Sequence, residues 1–108
     1  MTRARLSGFV VGLCLSLATT VHADPVTDWN GIAVSSVTIG RAGPPGLLDL
    51  ALVHAAMHDA VQAIEGRYRP YHYAASGSGS PAAAAVAAAH RVLVLLYPGQ
   101  APGPTGLD

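Results

Sequence analysis

The chain has 108 residues, six basic and six acidic, and a formal net charge of zero. That length suggests one domain at most, and without a basic stripe there is no electrostatic footprint for nucleic acid. It has no lysine, and its only cysteine, Cys14, excludes a disulfide within the chain.

The chain opens like an export signal. Arg3 and Arg5 form a short positive region, and Leu6 to Ala18 is apolar apart from Ser7 and Ser16. Val21-His22-Ala23 ends on the small residue that a cleavage site needs, so residues 1–23 read as a signal peptide cut after Ala23. An uncleaved membrane anchor is the alternative, but the apolar span is shorter than the ~20 residues a bilayer helix requires. Ala4 separates the arginines, so the pattern is not twin-arginine, and no small residue precedes Cys14 to suit lipid attachment. The expectation is an exported protein, periplasmic or secreted, with no stable membrane insertion after cleavage. About 85 residues then remain, a body that buries only a modest share of its surface and has no disulfide to staple it.

Asp24-Pro25 is a helix start: Asp caps the first N–H groups, and Pro occupies the position where its missing N–H costs nothing. Trp29, Ile32, Ala33, Ser36 and Val37 recur at three- and four-residue steps, predicting a helix to about Thr38 or Ile39. Trp29 reads as a core anchor, with ligand stacking as the alternative. Gly40 and Gly43-Pro44-Pro45-Gly46 then break the helix.

Leu47 to Glu65 carries the strongest helical pattern. Leu50, Val53, Met57, Ala60 and Ile64 form one stripe, while Leu48, Leu52, Ala55, Ala56 and Ala63 extend the apolar surface around the other side. A helix apolar nearly all round is expected to be buried, and two flanking helices do not suffice to cover it. Gly66 is placed to cap its C-terminus.

Arg67 to Tyr73 reads as extended, Pro70 biasing Arg69 away from helix, and Ala74 to Ser80 as a Gly/Ser loop. Ser80-Pro81 repeats the cap-plus-proline start, predicting a third helix over Ala82 to Tyr97, with a short strand at Val92 to Leu96 as the competing reading. Pro98-Gly99 ends it, and residues 98–108 form an irregular Pro/Gly-rich tail. The fold class is all-α: about three helices after the signal peptide, an incomplete part of a larger helical bundle.

Few residues point to chemistry. His54 and His58 share a helix face at i, i+4, the spacing of zinc-binding helices, but Ala55 stands where a metalloprotease has glutamate. His72 or His90 would have to complete a metal site; structural histidines bonded to backbone or carboxylate are the competing reading. Asp59, on the same apolar helix, needs a partner, and Arg67, Arg69 or Arg91 is expected to supply one and lock the loop onto the helices. Ser76-Gly77-Ser78-Gly79-Ser80 lacks the lysine that follows a phosphate cradle. No paired acids and no glycine-flanked nucleophile turn are identifiable.

Asp28-Trp29-Asn30, the run Leu50 to Ile64 (LALVHAAMHDAVQAI), Gly66-Arg67-Tyr68, Pro70-Tyr71 and Ala87 to Leu93 together resemble the N-terminal region of bacterial vanadium-dependent haloperoxidase-like proteins. These belong to the type 2 phosphatidic acid phosphatase (PAP2) superfamily. The resemblance implies an all-α bundle holding vanadate or a phosphoryl group with lysine, arginine, a Ser-Gly-His turn and a later arginine and histidine. Cationic donors neutralise a tetrahedral oxyanion, and histidine serves as nucleophile or apical ligand. None of these motifs is present, so no catalytic, cofactor-binding or metal-binding residue is assigned in this chain, which carries no cofactor of its own. Residues 24–97 are then the N-terminal helical segment of such a protein, inactive alone, whose partner is the missing C-terminal catalytic bundle or another helical partner. The tail departs from the helix the family has there, pointing to a frameshift, premature stop or truncated gene near Gln100. The rival reading is a small periplasmic metal-binding or helix-interaction protein using His54 and His58.

Overall fold

The structure is a computed structural model that describes residues 24–100. The signal-peptide reading of residues 1–23, Cys14 included, and the last eight residues of the tail lie outside the described residues. The described part is all-helical: α1 (Pro25–Gly40), α2 (Pro44–Glu65), α3 (Pro81–Leu96) and a short 3-10 turn (Pro98–Gln100), with no strand among them. The strand alternative at Val92 to Leu96 gives way to helix, because alternate residues of that stretch do not share a face while Ala85, Ala89 and Leu93 do.

Local chemistry sets the helix starts. The Asp24 carboxylate accepts from the Val26 N–H at 3.1 Å, and the Ser80 hydroxyl from the Ala83 N–H at 3.2 Å, each followed by proline in the first turn. At α2 the boundary differs from the sequence expectation. The helix begins at Pro44 rather than Leu47, since both prolines fit its first turn, where no N–H is needed. The break is confined to residues 41–43, with Gly43 at φ 92°, a conformation that side chains resist. Gly66 ends α2 in the left-handed region, φ 61°, its N–H bonded to the Gln62 carbonyl at 2.9 Å.

Contacts fix the directions. Val37 packs at Gly46 and Asn30 meets His54, so α1 and α2 run antiparallel. Trp29 meets His90 while Gly40 meets Tyr97, so α3 runs alongside α1 in the same sense and opposite to α2. The core lies between the three: Ala33 and Val37 from α1, Val53 and Met57 from α2, and Ala85, Ala89 and Leu93 from α3, with Tyr97 closing one end. Three of these eight residues are alanines, which lets the axes approach closely. Leu93 and Val53 are the largest fully buried side chains, and the burial of each contributes roughly 1.5–3 kcal/mol.

This core is one-sided for α2. Val53 and Met57 are buried, but Leu48 remains 70% exposed and Leu52 53% exposed. As expected for such a helix with only two flanking helices, one face of α2 stays uncovered, since α1 and α3 cover only the other.

Candidate functional site

The polar residues of α2 divide into three groups, each tying the helix to a different element. At its start, Asp49 is buried. Its Oδ2 accepts from the Tyr97 hydroxyl at 2.7 Å and meets the Arg41 guanidinium at 3.5 Å. Burial, with the bond to Asp49 second, pushes the Tyr97 hydroxyl up to about 12. Nearby, the Gln100 side-chain amide donates to the Ser36 carbonyl at 2.9 Å, holding the 3-10 turn against α1.

Midway along α2, His54 Nε2 donates to Asn30 Oδ1 at 2.9 Å, linking α2 to α1. Trp29 is partly buried against the core and meets the His90 ring edge-on, centroids 6.0 Å apart at 81°. Trp29 is thus a packing residue, and the rings of His54 and His90 are both engaged by neighbours within the fold.

The third group is a clamp. The Asp59 carboxylate accepts three consecutive backbone N–H groups: Tyr71 at Oδ1, and His72 at 2.9 Å and Tyr73 at 2.7 Å at Oδ2. The Tyr73 N–H foremost holds its carboxyl below the usual carboxylate range. Desolvation opposes this, while the His72 and Tyr71 N–H groups and nearby His58 add to the lowering. His58 Nε2 donates to the Arg69 carbonyl at 3.0 Å, Gln62 Oε1 accepts from the Tyr68 N–H at 2.7 Å, and the Gly77 N–H reaches the Ala63 carbonyl at 2.8 Å. Together these pin residues 66–77 along the last turns of α2.

The expectation for Asp59 is met in its role and corrected in its partner. It locks the loop, but through backbone N–H groups rather than Arg67, Arg69 or Arg91. An extended segment carries a run of unpaired N–H groups, and one carboxylate satisfies three of them where a guanidinium would satisfy none. Gln62 is buried as well, its side-chain oxygen taken by the Tyr68 N–H. The only hint of this clamp in the sequence is an acid on an apolar helix followed by a strand-like segment that no second strand pairs.

The structure does not bring His54, His58, His72 and His90 together. Among the described residues, no three His, Cys, Asp or Glu side chains converge as metal ligands. Nor does Arg67, Arg69 or Arg91 form an ion pair there, the Arg41–Asp49 contact being the one recorded.

Comparison with protein-family models, curated proteins and solved structures gives no match. The site must be judged on its own geometry.

That geometry has one open concavity of note, a groove of about 520 Å³ on the uncovered side of α2. Leu52, Ala55, Ala56, Ala60 and Ala63 form its floor, Tyr71 to Tyr73 and Ala75 one wall, and Val92 of α3 the other. The clamp thus builds a wall: Asp59 fixes the backbone of the three residues that flank the groove. A smaller hollow of about 420 Å³ lies at the α1–α2 turn, between Val34, Thr38, Pro44 and Leu47. By length and composition α2 is also long and apolar enough to cross a bilayer, with 22 residues and a mean hydropathy of 1.2 over an 18-residue window, a test that soluble core helices pass as well.

Proposed function

We propose that this chain is a helical packing unit of a larger exported helical protein, presenting α2 to a bundle that completes its burial. The observation that carries this reading is the uncovered Leu48–Leu52 side of α2, continuous with the alanine-floored groove. Covering Leu48 and Leu52 would contribute roughly 1–2 kcal/mol apiece, scaling the value of a fully buried leucine by the fraction still exposed. Contiguous apolar patches of this kind mark interaction surfaces. A lipid occupant is disfavoured, because α2 carries Asp49, His54, His58, Asp59 and Gln62, all bonded to groups of this chain.

The resemblance to vanadium-dependent haloperoxidase-like and PAP2 proteins supplies the family part of the proposal. In it, vanadate or phosphate is bound by the completing bundle, and the helices described here support that bundle without touching the anion. The engagement of His54, His58 and His90 within the fold supports a scaffold role over a metal-binding one.

Two measurements test the two parts. The purified chain incubated with vanadate should show no bound species by vanadium-51 NMR and no phosphatase activity; tight binding of either anion would refute the scaffold role. Reading the coding DNA past the Asp108 codon in all three frames should reveal the Lys…Arg-Pro, Ser-Gly-His and Arg…His motifs. Their absence in every frame would remove the family assignment and leave the packing role to stand alone.

A further inference from the structure

The segment that follows α2 is tied to that helix and to neither of the others. Among the described residues, every hydrogen bond from residues 66–77 to a helix ends on His58, Asp59, Gln62 or Ala63. Paired at i, i+4, these four positions line one edge of α2. The ties follow a closed path. Gly66 and Tyr68 meet Gln62, Arg69 meets His58, Tyr71 to Tyr73 meet Asp59, and Gly77 returns to Ala63. The segment thus leaves and rejoins α2 at adjacent residues, the closed neck of an Ω-loop. No apolar side chain anchors it: residues 65–80 are all exposed, Tyr71 to 80% and Tyr73 to 70%.

We propose that residues 67–76 lift from α2 as one cooperative unit in the native protein, hinged at the Gly66–Gly77 neck, while the three helices stay packed. Segments with few buried apolar contacts open at free energies well below that of global unfolding. Parting α1 or α3 from α2 would uncover Val53 and Leu93, both fully buried. Lifting the loop frees Asp59 and Gln62 instead, polar groups that exchange their partners for water. The neck permits the motion. Gly66 already sits at φ 61°, and at neither Gly66 nor Gly77 would a Cβ meet any atom.

Two features couple the ties. One carboxylate holds three consecutive amides, so Tyr71, His72 and Tyr73 leave Asp59 together. Pro70 then joins that group to Arg69 through a fixed φ, so a shift at Tyr71 strains the bond from His58 to the Arg69 carbonyl. The motion reshapes the groove. Tyr71, His72, Tyr73 and Ala75 are its wall and all belong to the unit, so the same side of α2 alternates between a walled groove and an open helix face.

Amide hydrogen exchange of the nitrogen-15-labelled full chain, read residue by residue by NMR, tests this. In the wild type, the Tyr68, Tyr71, His72 and Tyr73 amides should share one protection factor, at least about 100-fold below those of Met57 and Leu93 in the core. Their protection should barely change in dilute urea, because opening exposes little surface, while that of the core amides falls steeply. Asp59→Asn should speed exchange at Tyr68 by the same factor as at Tyr71 to Tyr73, about tenfold or more, although Tyr68 is bonded to Gln62. His58→Ala, at an exposed position, removes the acceptor of none of the four amides and should still speed all four by roughly fivefold. Gly77 and the core amides should keep their protection in both variants. Acceleration confined to Tyr71, His72 and Tyr73 would overturn the cooperative unit, and so would an absence of protection at the four wild-type amides. Core amides that accelerate in step with the loop would show that it opens only by global unfolding, and Gly77 accelerating with the four would overturn the hinge.

Discussion

Tyr97→Phe isolates the tie between the end of α3 and the start of α2. The substitution keeps the ring, which packs against Gly40, and removes only the hydroxyl. Asp49 Oδ2 then keeps a single partner, the Arg41 guanidinium at 3.5 Å on a side chain 57% exposed, while its own carboxylate stays buried. A hydrogen bond to a charged acceptor contributes about 1.5–3 kcal/mol, and a long, solvent-screened ion pair restores little of it. Taking about 2 kcal/mol, and roughly 4–8 °C per kcal/mol for a domain this small, melting should fall by roughly 10 °C at neutral pH. Thermal circular dichroism measures this directly. A second readout is ultraviolet absorbance of tyrosinate. The chain has four tyrosines. Tyr68, Tyr71 and Tyr73 are exposed, whereas Tyr97 is held up to about 12 from an ordinary value of 10. A raised folded value means the native state keeps a proton that the unfolded chain releases. That stability is fully present below pH 10 and is lost as pH rises toward 12. One tyrosine in four should therefore ionise late, together with loss of helix, and Tyr97→Phe should abolish the late step. A single step near the ordinary value, with an unchanged melting temperature in the variant, would refute the buried Asp49–Tyr97 bond.

Two further perturbations test other parts of the account. Asp59→Asn replaces an acceptor of three N–H groups with an amide that donates on one side; it should free residues 66–77 while α1 to α3 persist. Trypsin should then cut after Arg67 faster in the variant at unchanged helical signal. Because the folded carboxyl lies below its ordinary 3.8, the clamp is present above that value and is lost as pH falls beneath it; a wild-type cleavage rate unaffected by Asp59→Asn would contradict this. Gly46→Ala and Gly31→Ala should move stability in opposite directions. At Gly46 a Cβ would collide with the Arg41 carbonyl and Val37 Cγ1, costing about 1–3 kcal/mol, whereas at Gly31 it meets open space and gains roughly 1 kcal/mol of helix propensity. Urea unfolding of both variants checks the pair, and two shifts of the same sign would contradict the close α1–α2 turn.

Much of the architecture was legible in the sequence because helix ends are written in local chemistry. Asp24-Pro25, Ser80-Pro81 and Gly66 each act within a few residues of themselves, and all three lie where the sequence reading puts them. The start of α2 is less legible, because two prolines read as a breaker unless they fall in a first turn. The ties that hold the fold together were less legible. Asp49 and Tyr97 are 48 residues apart and nothing in their neighbourhoods pairs them. Asp59 was recognisable as a buried acid in need of partners, yet backbone N–H groups carry no side-chain identity, so arginines were the only visible candidates. The apolar excess of α2 was read correctly as surplus to a three-helix core; which side would be left bare depended on where α1 and α3 settled.

The central claim is that the Leu48–Leu52 side of α2 is a bare docking surface rather than part of this chain's own core. Its most direct test is the double variant Leu48→Glu/Leu52→Glu, followed by binding of an apolar-surface dye and by thermal melting. The account predicts strong dye binding by the wild type, its loss in the double variant, and a stability change within about 0.5 kcal/mol, as for exposed positions. A double variant that unfolds, or one that binds the dye as strongly as the wild type, would contradict it.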